Sequence, residues 1–385
     1  MRIVHPIMHK LFIAMLLVHH LTALGQTLPP FKGSTQKLQQ FQHCLDSIFN
    51  QHPETKGIAI YLVSNNKQLL WYSAVGKANT SGEALSVNHP VNIASVTKTY
   101  VAAAILRLVE QHKFTLETPI ALLLSAETNT LLSQSGYATN HITVKHLLSN
   151  TSGIYDFVNA AAFQQKTTQQ PNYIWTRQEQ IALAMQAGEK RFNPGEQFEY
   201  SETNYLLLAE ILEKVGKAPF HEVLKRELKF DELNLKQTWF LHQEQKPKKL
   251  LPMAEQTAKA FGVNSLVLHP SFDAFGGGGL GSTVADMCNF GTYLFEGKII
   301  ENPLVLAQMT TPILTNGGKE TGYCLGLVHS SIQGLTAYGH GGFWGTHLKY
   351  IHALKLSIGV YVLERDAWPI YNQLIDELVK EMNKP

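Results

Sequence analysis

The stretch Val91-Asn92-Ile93-Ala94-Ser95-Val96-Thr97-Lys98-Thr99-Tyr100-Val101-Ala102-Ala103-Ala104-Ile105-Leu106 sets a Ser-x-x-Lys pair at the head of a long apolar run. A helix starting here puts the hydroxyl and the amine one turn apart on the same face. There the amine can accept or relay the hydroxyl proton. The apolar run predicts burial of Lys98, and burial lowers a lysine's pKa toward that of a usable base. A helix N-terminus also turns backbone N–H groups and the positive end of its dipole toward an oxyanion formed at Ser95. The pattern recurs at Ser34 to Lys37 and Ser64 to Lys67. Ser34 falls in a polar connector and Ser64 in a hairpin turn, so both pairs are expected on the solvated surface.

Working outward, Gln36 to Phe49 places Leu38, Phe41, Leu45, Ile48 and Phe49 at helical spacing. Gly57 to Val63 and Gln68 to Tyr72 are apolar and aromatic runs around Ser64-Asn65-Asn66-Lys67, which predicts a β-hairpin. Near the other end, Gly334 to Tyr338, Leu348 to Ile351 and Leu356 to Leu363 read as three more strands, followed by a helix over Ile370 to Met382. The middle holds helical patterns at Tyr100 to Gln111, Gln178 to Ala187 and Asn204 to Val215, with no convincing strands. The expected organisation is an α+β catalytic domain over 37–385. Its sheet subdomain comes from both chain ends, about 37–110 and 275–385, with a helical subdomain inserted over about 111–274.

The first residues have signal-peptide order: Arg2 and Lys10, an apolar run from Leu11 to Val18, then Ala23-Leu24-Gly25. A signal peptide over 1–25 and a connector over 26–36 are expected, giving a secreted or periplasmic protein with no stable membrane anchor after cleavage. An uncleaved anchor is the weaker reading, because the run is short and His19 and His20 interrupt it. Lys plus Arg number 32 against 30 for Asp plus Glu, a balance that gives no general attraction to nucleic acid. Cys44, Cys288 and Cys324 are far apart and in no metal-ligand spacing, so they are expected as packing residues.

Two further segments could carry chemistry. Asn193-Pro194-Gly195-Glu196 runs on to Phe198-Glu199-Tyr200-Ser201-Glu202-Thr203-Asn204-Tyr205, a turn into a helix start at which Ser201 or Thr203 would cap and Tyr200 could present its phenol. Tyr338-Gly339-His340-Gly341-Gly342-Phe343-Trp344-Gly345 ends a predicted strand with glycines that permit close backbone approach and a titratable histidine. Gly276, Gly278 and Gly281 satisfy Gly-x-Gly-x-x-Gly, but no strand precedes them and no βαβ unit encloses them, which argues against a dinucleotide site. Neither a Gly-x-Ser-x-Gly elbow nor a His-Glu-x-x-His helix occurs.

Taken in order, these elements resemble the serine β-lactamase and penicillin-binding-protein superfamily, in its class C-like branch of DD-peptidases, esterases and D-aminopeptidases. Ser95-Val96-Thr97-Lys98 resembles the first motif of that family, Tyr200-Ser201-Glu202 its Tyr-x-Asn element, and His340-Gly341-Gly342 the His-x-Gly variant of its Lys-Thr-Gly strand. Around them, His146 to Ile154, Gly278 to Thr283 and Tyr323 to Gly326 are similar to the family's connecting text. The resemblance implies a five-stranded antiparallel sheet flanked by helices, an inserted helical domain, and a site between the two.

It also implies acyl transfer through a covalent intermediate, with Ser95 as nucleophile and Lys98 and Tyr200 moving the proton. His340 would orient Tyr200 or the substrate, and the N–H groups of Ser95 and Phe343 would hold the oxyanion. Glu202, Gly341, Gly342 and Phe343 would contact substrate, and no metal or organic cofactor is expected. Glu202 replaces the family's asparagine and His340 a lysine, two departures that count against efficient β-lactam hydrolysis. D-Ala-D-Ala-type peptides, possible products of peptidoglycan, are the leading substrate expectation. A carboxylesterase, a weak β-lactamase and a catalytically silent cell-wall-peptide binding protein are the alternatives.

Overall fold

Residues 29–367 and 369–384 are described in the computed structural model, so the expected signal peptide over 1–25 lies outside them. Ser34 accepts the Lys37 N–H at 3.3 Å and caps α1 (Thr35–Gln51), whose buried stripe is Phe41, Leu45 and Ile48. The expected hairpin follows as β1 (Gly57–Ser64) and β2 (Leu69–Gly76). A short strand, β3 (Val91–Asn92), then leads through a tight turn at Ala94–Val96 into α2 (Thr97–Glu110). Helices α3 (Ala126–Gln134), α4 (Val144–Leu148), α5 (Ala161–Gln169), α6 (Arg177–Ala187), α7 (Glu202–Gly216) and α8 (Phe220–Glu227) come next. After β4 (Thr238–Phe240), β5 (Thr257–Ala258), β6 (Val263–Asn264) and β7 (Leu280–Ser282), the chain forms α9 (Val284–Phe295) and α10 (Pro303–Thr310). It closes with β8 (Val328–Ile332), β9 (Leu335–Gly342), β10 (Thr346–Ile351), β11 (Leu356–Val362) and α11 (Pro369–Asn383).

The main sheet is antiparallel throughout in the order β2-β1-β11-β10-β9-β8, so both chain ends build it as expected. It has six strands rather than five. The extra strand, β8, is an edge: Val-His-Ser-Ser-Ile is mostly half-buried and shows no clean apolar alternation, because only one of its sides is paired. The middle of the chain also contains strands, contrary to expectation. β3, β7 and β4 form a small sheet and β5 and β6 a two-residue hairpin, all too short to show a period of two in sequence.

Side chains alternate across the main sheet. On β1, Ile58, Ile60 and Leu62 join Trp71, Ile358 and Val360 against α1 and α11. Ala59 and Tyr61 face the other way, into the larger core built around α2, α7 and α9. Fully burying one such aliphatic side chain contributes about 1.5–3 kcal/mol. Ser64 departs from its expected solvation: it is buried at the end of β1, and its Oγ lies 2.8 Å from the Leu354 carbonyl and 2.7 Å from Asn66 Oδ1. Ser34 caps a helix instead of pairing with Lys37, whose Nζ donates to the Glu381 carbonyl at 2.6 Å.

Candidate active site

Ser95 sits in the turn between β3 and α2, and local bonds fix that turn. Antiparallel pairing sets Asn92 opposite Gly281, and the Ile93 N–H donates to the Leu280 carbonyl at 2.9 Å. Ala94 is held at φ +44° and donates its N–H to Asn92 Oδ1 at 2.8 Å. A left-handed alanine costs on the order of 1–2 kcal/mol, so the surrounding bonds hold a strained residue directly before Ser95. Thr346 Oγ1 donates to the Ile93 carbonyl at 2.9 Å, joining the turn to β10. A Cβ at Gly342 would lie 2.3 Å from that same carbonyl oxygen. Glycine there lets the end of β9 close onto the turn.

Lys98 is fully buried, as its apolar surroundings predicted. Its Nζ lies 3.0 Å from Ser95 Oγ, 2.5 Å from Glu202 Oε2 and 2.6 Å from the Gly277 carbonyl oxygen. Glu202 Oε1 is 3.4 Å from Ser95 Oγ. One carboxylate therefore spans the hydroxyl and the amine. The glycine run forms the opposite wall: a Cβ at Gly277 would come within 2.0 Å of Glu202 Oε2, so a side chain there would displace the carboxylate from Lys98.

Tyr200 lies half-buried beside this pair, its ring centroid 5.0 Å from Lys98 Nζ. Loss of solvent around the phenol and the charge of Glu202 push its pKa well above the usual tyrosine value, with contact to Ser95 opposing. His340 takes partners other than those expected. Its Nδ1 is 2.7 Å from the Gly341 carbonyl, an acceptor only, so Nδ1 carries the proton and Nε2 accepts from the Tyr323 hydroxyl at 3.0 Å. Burial, reinforced by the charge of Lys98, lowers the His340 pKa to about 3. This neutral ring positions Tyr323; it meets Tyr200 only ring to ring, with centroids 6.1 Å apart. Gly341 faces His347 across the sheet, while Phe343 packs on Phe261 and Trp344 at the end of β9.

Four residues were given no role by the sequence reading, although Asn150 and Tyr323 lie in segments that it singled out. Asp273 and Asp156 stand near the Lys98–Glu202 pair, and burial together with the charge of Glu202 raises both carboxyls, Asp156 to about 7. Tyr323 reaches His340 from the loop before β8. Asn150, at φ +57°, ties down the segment bearing Tyr200. Its carbonyl accepts from the Glu199 N–H at 3.0 Å, and its Oδ1 accepts from the Ser201 N–H at 3.2 Å and Asn204 Nδ2 at 2.9 Å. Neither expected cap forms at α7: the Ser201 side chain makes no capping bond, and Thr203 Oγ1 instead donates to the Tyr155 carbonyl at 2.8 Å.

A hydroxyl–amine pair at a helix start with a tyrosine beside it, between an antiparallel sheet and inserted helices, is the arrangement of a serine hydrolase. The chain belongs to the Beta-lactamase family, whose model matches residues 45–367. It is 22% identical over 331 residues to "Penicillin-binding protein 4*" of Bacillus subtilis (strain 168), covering 82% of this chain and 69% of that protein. A D-stereospecific amidohydrolase from Streptomyces sp. superposes with TM-score 0.72 at 23% identity, covering 86% of this chain and 95% of that one. The D-amino acid amidase of Ochrobactrum anthropi SV3 does so with TM-score 0.75 at 20% identity, covering 90% of this chain and 99% of that one.

Proposed function

We propose that the protein hydrolyses small amides through an acyl-enzyme on Ser95, with D-amino-acid amides the first substrates to test. The observation that carries this reading is the charge balance of the site. A peptide ending in D-Ala-D-Ala brings a free carboxylate, which needs a cation. Lys98 is enclosed by three protein acceptors, His340 is neutral with both ring nitrogens engaged, and Arg365, stacked on Phe343, pairs with Asp366. Lys349, the further cation that acts on His340, is buried with its Nζ 3.2 Å from Ser330 Oγ, whereas Glu202, Asp156 and Asp273 add carboxyl groups beside Lys98. An amide that releases ammonia or a neutral amine fits that balance better than a peptide that ends in a free carboxylate. Two of the structural neighbours carry amidase or amidohydrolase in their names, which agrees with this reading.

In this reading the N–H groups of Ser95 and Phe343 receive the oxyanion, and the signal-peptide order of residues 1–25 supports a reaction outside the cytoplasm on small peptide or ester substrates, peptidoglycan-derived ones included. No helix among the described residues is long and apolar enough to cross a membrane. The test compares kcat/KM for D-phenylalaninamide, p-nitrophenyl acetate and an N-acetylated D-Ala-D-Ala peptide, with Ser95→Ala as the control. The amide should be turned over at least about tenfold better than the free-carboxylate peptide, and Ser95→Ala should turn over neither. Preference for the D-Ala-D-Ala peptide would refute the amide reading and restore the carboxypeptidase; preference for the ester alone would make the protein an esterase.

A further inference from the structure

We propose that Glu202, rather than Lys98, is the group that takes the proton from Ser95, an inference that rests on Ser95 being the nucleophile. Lys98 has its three N–H donors matched by three acceptors: the Ser95 hydroxyl, the Glu202 carboxylate and the Gly277 carbonyl. A carbonyl oxygen can only accept, so Lys98 donates to Gly277, and a carboxylate 2.5 Å away holds the remaining charge on the nitrogen. An ammonium so placed has no lone pair to offer Ser95. Because it donates to Ser95 Oγ, the serine's own hydrogen points elsewhere, and the acceptors in reach are Glu202 Oε1 at 3.4 Å and the Tyr200 hydroxyl, which as a protonated phenol is the weaker base of the two. The distance to Glu202 is roughly 0.6 Å longer than a formed O–H···O bond, a gap that substrate-induced tightening commonly closes.

The neighbours of Glu202 favour this division of labour. Tyr200 has its phenol pKa raised, which suits a proton donor and not a resting phenolate. Asp156 and Asp273 have theirs raised by burial and next by the charge of Glu202, so both are poorer carriers of negative charge than an exposed carboxyl. Tyr205, whose ring lies 5.3 Å from Lys98, and Tyr323 and His340 behind it add no charge near neutral pH. Glu202 is 13% exposed, open enough to the cleft to meet an incoming water.

The step balances as follows. The Ser95 O–H bond breaks and its proton passes to Glu202 Oε1, making a carboxylic acid. Oγ bonds to the substrate carbonyl carbon, whose π pair moves to oxygen beside the two N–H donors, with Lys98 stabilising the nearby charge. On collapse the C–N bond breaks, and the leaving nitrogen takes a proton from Glu202 directly or through the Tyr200 hydroxyl. Water then attacks the ester, gives its proton to Glu202, and Ser95 regains it as the acid product departs.

The experiment measures fluorophosphonate labelling of Ser95, by intact mass and stopped flow across pH, in the wild type, Glu202→Gln and Glu202→Asp. Gln keeps the shape and one acceptor oxygen but cannot take a proton, so labelling should fall at least about a hundredfold and lose its rising limb. Asp keeps the carboxylate, so it should be slower than the wild type yet retain the limb. If Lys98 is the base instead, Glu202→Gln frees its lone pair: labelling speeds up or its limb moves to lower pH, and the proposal is overturned. Should the Gln variant fail to fold by circular dichroism, the Asp variant decides, since loss of its limb with the carboxylate present is equally fatal. A wild-type enzyme left unlabelled, or labelled equally in Ser95→Ala, would instead remove the nucleophile reading itself.

Discussion

Asn150 offers a perturbation whose size follows from its bonds. Replacing it by glycine keeps the φ of +57° at no steric cost but deletes the Oδ1 that accepts from the Ser201 N–H and Asn204 Nδ2. Asn150 and Ser201 are buried, so the orphaned donors cost about 1–3 kcal/mol each if nothing replaces the acceptor. Water entering the vacated volume would recover part of this, giving a net loss of about 2–4 kcal/mol. Asn150→Ala should lose a further 1 kcal/mol or so, because alanine pays for the left-handed backbone. The amides on both sides of Tyr200 hang from Asn150, so the phenol should shift relative to Ser95, and a misplacement of about 1 Å can cost a hundredfold in rate. Urea unfolding paired with single-turnover acylation reads both quantities. We expect kcat to fall with KM little changed in Asn150→Gly, and Asn150→Asp, which retains the acceptor, to recover most of it. Asn150→Gly with wild-type kcat, or Asn150→Ala as stable as the glycine variant, would refute this account of the clamp.

Gly342→Ala should separate β9 from the Ser95 turn, since its Cβ would sit 2.3 Å from the Ile93 carbonyl oxygen and 2.2 Å from Thr346 Oγ1. We expect at least a tenfold loss of acylation in a folded protein, and an unchanged rate would mean the strand end does not position the nucleophile. His340 supplies a pH dependence. Its folded pKa, about 3, lies below its unfolded value, so the unfolded chain binds the extra proton first. Its contribution to stability is complete above about pH 6.5 and is lost as the pH falls toward 3. His340→Gln should therefore show a shallower loss of stability than the wild type between those limits in pH-dependent urea unfolding, and parallel curves would remove His340 as a source of acid sensitivity.

Much of the frame was legible because its signals are local. The Ser95–Lys98 spacing, the apolar run behind it and the period-two strands at both ends depend on residues a few positions apart, and these predicted the buried helix that follows Ser95 and a sheet shared by the two ends. Segments with too little length to show a period, β3 to β7, and an edge strand with one unpaired side, β8, left no such trace. Burial was decided by distant packing: Ser64 looked like a solvated turn residue until β11 and the Leu354 carbonyl closed over it. The same holds for the chemistry. Sequence placed Glu202 near the motif, but only the fold brings it to Lys98 and Ser95 together, sets Asp156 and Asp273 beside it, and turns His340 toward Tyr323. A proton's place among several titratable groups depends on distances and desolvation summed over the whole assembly. Periodicity along the chain carries the elements; the electrostatics of the site exist only once those elements have packed.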